Sequence, residues 1–166
     1  MNWPYIHTLV NHFPIILTVV GSAVLALALF TNRRGIWLYA LATLTLSGLS
    51  IYPAFFTGDQ ASHALRTTWY VVRTMVEAHD QAAGFALWSV LALGAVSAYT
   101  WWRMLRQVEE PVPPVWLRTV LAVVAVFALS IVIRTAYLGG LIIHESPKLA
   151  NPPAGVVTPV PPAPIP

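Results

Sequence analysis

Four stretches of the chain, at about 5–30, 36–56, 78–102 and 116–143, are almost without charge and dominated by Gly, Ala, Leu and Val. A helix rises ~1.5 Å per residue, so roughly 20 such residues cross a hydrocarbon layer of ~30 Å. Inside a bilayer only helices and closed barrels satisfy their own backbone hydrogen bonds. The alternation of a barrel strand is missing, and so is any solenoid-type repeat. With 57% hydrophobic and 9% charged residues and a mean hydropathy of +0.69, a soluble domain is not expected. The fold class that follows is an all-α membrane protein, a four-transmembrane-helix bundle occupying 1–146.

Charge and cysteine narrow the function. A net charge of +3, scattered along the chain, gives no basic patch for a nucleic-acid partner. The absence of cysteine excludes disulfides, thiolate metal sites, iron–sulfur clusters and a c-type haem attached to this chain. Arg33 and Arg34 join the first two spans, and Arg103, Arg106 and Arg118 flank the link between the last two. The positive-inside rule then puts both links in the cytoplasm and both termini outside, periplasmic if the membrane is the bacterial inner membrane. Trp37, Trp101, Trp102 and Trp116 fit an aromatic belt at the inner boundary, with Trp3 and Trp69 at the outer one. The first span has no basic n-region and is read as retained, not as a cleaved signal.

Between the second and third spans, Ala61, Ala64, Leu65, Trp69, Val72, Met75 and Val76 recur at helical spacing opposite His63, Arg66, Tyr70 and Arg73. This predicts an amphipathic surface helix over 57–77, with Thr57, Gly58 and Asp59 as its break and cap. Residues 147–166 are too rich in proline to continue a helix and read as an extended tail, laid along a partner or solvated.

Counting ~1.5 Å per residue from the inner boundary sets the histidines in depth: His12 at ~28 Å, His79 at ~33 Å and Arg134 at ~27 Å. His7 comes to ~36 Å and His144 to ~42 Å, unless the Gly139–Gly140 pair breaks the helix and lowers it. An imidazole in or beside hydrocarbon is costly unless it is paired, hydrogen-bonded or ligating. His12 and His79, from different spans at similar depth, are therefore the leading ligand pair, with His7 and His144 as an outer pair. A b-type haem takes one axial histidine from each side of a flat ring in a bundle core. Five residues separate His7 and His12 by about 140° around a helix, so the two do not share one iron. His63 lies on a polar face and is read as solvated. Ala83, Gly84, Ala86, Gly94 and Ala98 keep the third span slim, leaving room for a ring or simply for close helix packing. Arg134 either meets haem propionates or an acidic neighbour, or snorkels outward. Asn11, Thr8 and Ser50 are candidates for orienting a ligand imidazole through its second nitrogen.

Three motifs carry a resemblance. "HTLVNHFPIIL" (7–17), "VEAHDQAAGFAL" (76–87) and "TAYLGGLIIHE" (135–145) are similar to conserved segments of a bacterial membrane-protein family known as domain of unknown function 2231. The likeness spans nearly everything up to Ser146 and carries His7, His12, His79 and His144 onto the family's histidine positions, with Gly139 and Gly140. The chain departs from the pattern with Thr8 in place of proline and Ser146 in place of glycine. Members joined to c-type cytochrome modules imply an electron-transfer setting.

The function expected is a membrane cytochrome b-like subunit binding haem b, one or two, through His12, His79, His7 and His144. It has no catalytic activity of its own, because no convergent acid–base or nucleophile set is present. Its partners are lipid, a periplasmic cytochrome c or oxidoreductase subunit within a larger membrane complex, and quinol. The alternatives are a cofactor-free structural subunit, a four-histidine copper or zinc site, and a chlorophyll-type pigment.

Overall fold

The computed structural model describes residues 2–109 and 112–152. It is an all-α bundle of four membrane-spanning helical segments, Trp3–Thr31, Arg34–Leu65, Arg73–Arg106 and Val115–His144. The first segment is made of α1 (Trp3–Val10) and α2 (His12–Thr31), and the others are α3 (Arg34–Leu65), α4 (Arg73–Arg106) and α5 (Val115–His144); α6 (Ser146–Leu149) adds one turn.

The break between α1 and α2 at Asn11 precedes Pro14. Proline has no N–H to donate to the carbonyl one turn back, so the ladder is interrupted there and the chain can change direction. α1 packs on α3, while α2 packs on both α3 and α5. The bundle is thus closed at the end where α2 meets α5 and splayed where α1 replaces α2. These two ends are called here the arginine end and the histidine end.

The spine of the bundle is the α3–α4 contact. A Cβ at Gly94 would lie 2.7 Å from the Gly48 Cα, and one at Gly48 the same distance from Gly94, so only glycine lets these backbones approach so closely. Leu41, Leu44, Val90 and Leu93 are fully buried around it. α2 joins through Thr18, whose hydroxyl lies 2.7 Å from that of Ser47, and through Gly21, which Leu44 overlies. The outer surface is apolar, with Phe30 86% and Trp88 72% exposed, as lipid-facing side chains must be. At the arginine end, Arg34 donates to the last carbonyls of α4, at Met104 and Gln107. Arg118 bonds Asn32 Oδ1 at 3.1 Å, and Asn32 ends α2 in the left-handed conformation. Both arginines therefore bond at a helix end, Arg34 supplying donors to the last turn of α4 and its C-cap, Gln107.

The helices differ from expectation in several places. No separate surface helix forms over 57–77: α3 runs on through Thr57, Gly58 and Asp59 to Leu65, a turn follows, and α4 begins at Arg73. A stripe of period 3.6 looks the same whether a helix is new or continued, and Ala61 and Val76 are buried as the ends of two long helices. Gly139 and Gly140 do not break α5. Trp37 is fully buried and not part of a belt. Of the proline-rich tail, residues 147–149 wind with Ser146 into α6, and 153–166 lie outside the described residues.

Candidate functional site

The splay at the histidine end leaves a cavity of about 630 Å³ bounded by α1, α3, α4 and α5, with the start of α2 beneath it. Its deep part is apolar, lined by Ile15, Ile51, Phe55, Ala86 and Val132, and three of the five histidines, His7, His12 and His79, line it as well.

His7 and His79 are held by the same local device. The His7 Nδ1 lies 3.1 Å from the Ala54 carbonyl of α3, and its ring rests over Gly58, one turn further on, where a Cβ would come within 2.9 Å of Cε1. The His79 Nδ1 lies 3.0 Å from the Thr135 carbonyl of α5, and its ring rests over Gly139, again one turn further on, where a Cβ would come within 3.1 Å of Cε1. A carbonyl only accepts, so in each ring Nδ1 carries the proton and Nε2 keeps its lone pair. Thr57 Oγ1, 3.3 Å from the His7 Nδ1, adds a second contact on that side. The two ring centroids are 6.4 Å apart with 73° between their planes.

The expected pairing is therefore corrected. His7, not His12, stands opposite His79, because α1 leans over α3 while α2 turns down into the bundle. His12 is exposed and bonds back across the break to α1, Nδ1 to the Thr8 carbonyl at 2.5 Å. His144 is exposed at the end of α5 and does not line the cavity, so no His7–His144 layer exists. Among the described residues no group of three or more His, Asp or Glu side chains is placed to hold a metal ion. Arg134 is exposed in a separate shallow crevice between α4 and α5, beside Gln81 and Phe85. His63 is solvated, 3.8 Å from Asp59. Of the candidate orienting groups, only the backbone of Thr8 serves; Ser50 bonds Ser47 within α3. The carbonyls of Ala54 and Thr135 leave no mark in the sequence, and Gly58 and Gly139 read there as helix breakers, not as room beneath an imidazole. The available signal was a glycine in each facing helix at the level of a histidine.

The residues present fit a haem. Two imidazoles from different helices on one cavity, their ring centroids 6.4 Å apart, are the donor set that would hold a b-type haem. The volume falls in the ~300–1,000 Å³ range of cofactor sites. Asn11 lines the cavity, and its Oδ1 is buried without a hydrogen-bond partner. No family model matches the chain, and no curated protein or solved structure is similar to it.

Proposed function

We propose that this chain is a membrane cytochrome b-like electron-transfer subunit that holds one haem b between His7 and His79. The observation that carries the reading is the pair of imidazoles on one cavity, each with Nδ1 tied to a facing-helix carbonyl and Nε2 left to ligate. A carbonyl behind a ligand imidazole fixes its tautomer and orientation and raises its basicity. Bound there, a haem supplies one-electron redox chemistry. The chain's own part is to set both ring planes through Ala54 and Thr135, to exclude water from the deep apolar wall, and to keep the site at one end of the bundle. With the arginine end cytoplasmic, that end is periplasmic in a bacterial inner membrane. The exchange partner is then a periplasmic cytochrome c or oxidoreductase subunit, with quinol reaching the site from the bilayer.

The test is the absorption spectrum of the purified protein, oxidised and reduced. The expected result is a low-spin b-type spectrum that His7→Ala and His79→Ala each abolish and that His12→Ala and His144→Ala leave in place. A protein that shows no Soret band, even after incubation with haem, would instead be a cofactor-free structural subunit.

A further inference from the structure

Arg134 is a charge that the bundle does not neutralise. Its side chain is exposed and lines the small crevice between α4 and α5, together with Gln81, Phe85 and Ile131. Among the described residues its guanidinium makes no hydrogen bond or ion pair, and neither does the Gln81 carboxamide. The two helices run antiparallel, with His79 of α4 against Thr135 of α5. Gln81 and Arg134 therefore share one level, while Phe85 and Ile131 share the next, one turn nearer the arginine end. Phe85 is 60% exposed, and Trp88, a further turn along α4, is 72% exposed, so an apolar lane runs inward from the polar level. Counted from Trp116, Arg134 stands ~27 Å along a helix that crosses ~30 Å of hydrocarbon. A cation at that depth is costly unless it meets an anion, and the long arginine stem lets its head reach the headgroup layer.

We infer that Arg134, in its crevice with Gln81, binds the phosphate of a glycerophospholipid in the leaflet at the histidine end, with an acyl chain laid over Phe85 and Trp88. Phosphate is the anion which that layer supplies. A guanidinium offers five N–H donors in a planar fork that matches phosphate oxygens in pairs, and the carboxamide adds two more. The acidic side chains of this end leave the role open. Asp80 is held by Ser62 and Arg66, Glu145 by Lys148, and Asp59 lies 3.8 Å from His63. Glu77, one turn outward of Gln81, is exposed and forms no ion pair with Arg134. Arg73 is exposed as well, but it is the first residue of α4 and stands ~12 Å outward of Gln81, where water solvates it. The site lies outside the histidine cavity and stands whatever fills that cavity.

The experiment titrates the whole protein in detergent with phosphatidylglycerol and with diacylglycerol of the same acyl chains, and reads bound lipid by native mass spectrometry. Wild type is expected to hold the phospholipid at least about ten-fold more tightly than diacylglycerol, the scale of one charge-assisted pair. Excess inorganic phosphate is expected to leave the phospholipid bound. Arg134→Gln is expected to lose the preference while binding diacylglycerol as wild type does, and Arg73→Gln to keep it in full. If Arg134→Gln does not fold, Arg134→Met takes its place with the same expectation. A preference retained in full without Arg134, one lost with Arg73 instead, or no preference in wild type overturns the inference. Displacement of the lipid by inorganic phosphate makes the crevice a site for free phosphate and overturns the lipid assignment.

Discussion

Gly58 and Gly139 decide where the imidazoles sit. Alanine at 58 would press on His7 at 2.9 Å, and alanine at 139 on His79 at 3.1 Å, so each substitution pushes a ring off its carbonyl. Alanine also favours a helix over glycine by roughly 1 kcal/mol, so neither change should lower stability through the backbone. The expected outcome for Gly58→Ala is haem affinity at least about ten-fold weaker, by Soret titration, with an unchanged or higher unfolding temperature; Gly139→Ala should show a smaller loss. At this scale the sequence was half legible. The depth count placed His7 within ~3 Å of His79 and His12 within ~5 Å, so His7 was already the nearer match. What the count lacked was the direction of each ring, which depends on the helix it faces.

At the scale of elements, the α3–α4 seam is the test of packing. Gly94→Ala sets a methyl 2.7 Å from the Gly48 Cα, and the obstacle is backbone, which no rotamer change relieves. A loss of about 1–3 kcal/mol is expected, seen as a lower unfolding temperature in detergent. Gly84→Ala, on the same helix with nothing within 4 Å of the new Cβ, serves as the control and should be neutral or slightly stabilising. The pair separates the two roles that small residues held open in the sequence: Gly94 serves helix packing, while Ala83 lines the cavity. The missing surface helix has the same lesson. Thr57, Gly58 and Asp59 look like a break when read locally, but Gly58 lies inside a helix because an imidazole needs the space.

For the molecule as a whole, orientation is the property that the proposed function depends on. The absence of cysteine makes single-cysteine mapping clean. A cysteine at position 63 is expected to react with a membrane-impermeant thiol reagent added to intact cells, and one at position 107 only after the membrane is opened. Both positions are exposed, so the result reads sidedness and not burial. The reverse pattern would place the histidine cavity in the cytoplasm and exclude a periplasmic redox partner.

The sequence by itself determined the solvent, the number of crossings and the end of the bundle where the histidines gather, because length, apolarity and charge are sums along one chain. Only the tertiary structure decided that His7 meets His79, that Arg134 lies in a crevice apart from the cavity, and that α1 parts from α2 to open it. Those facts depend on which carbonyl and which glycine a neighbouring helix presents, and on a backbone break at Asn11 whose direction is set by packing. Periodicity along one helix carries no record of the face across from it.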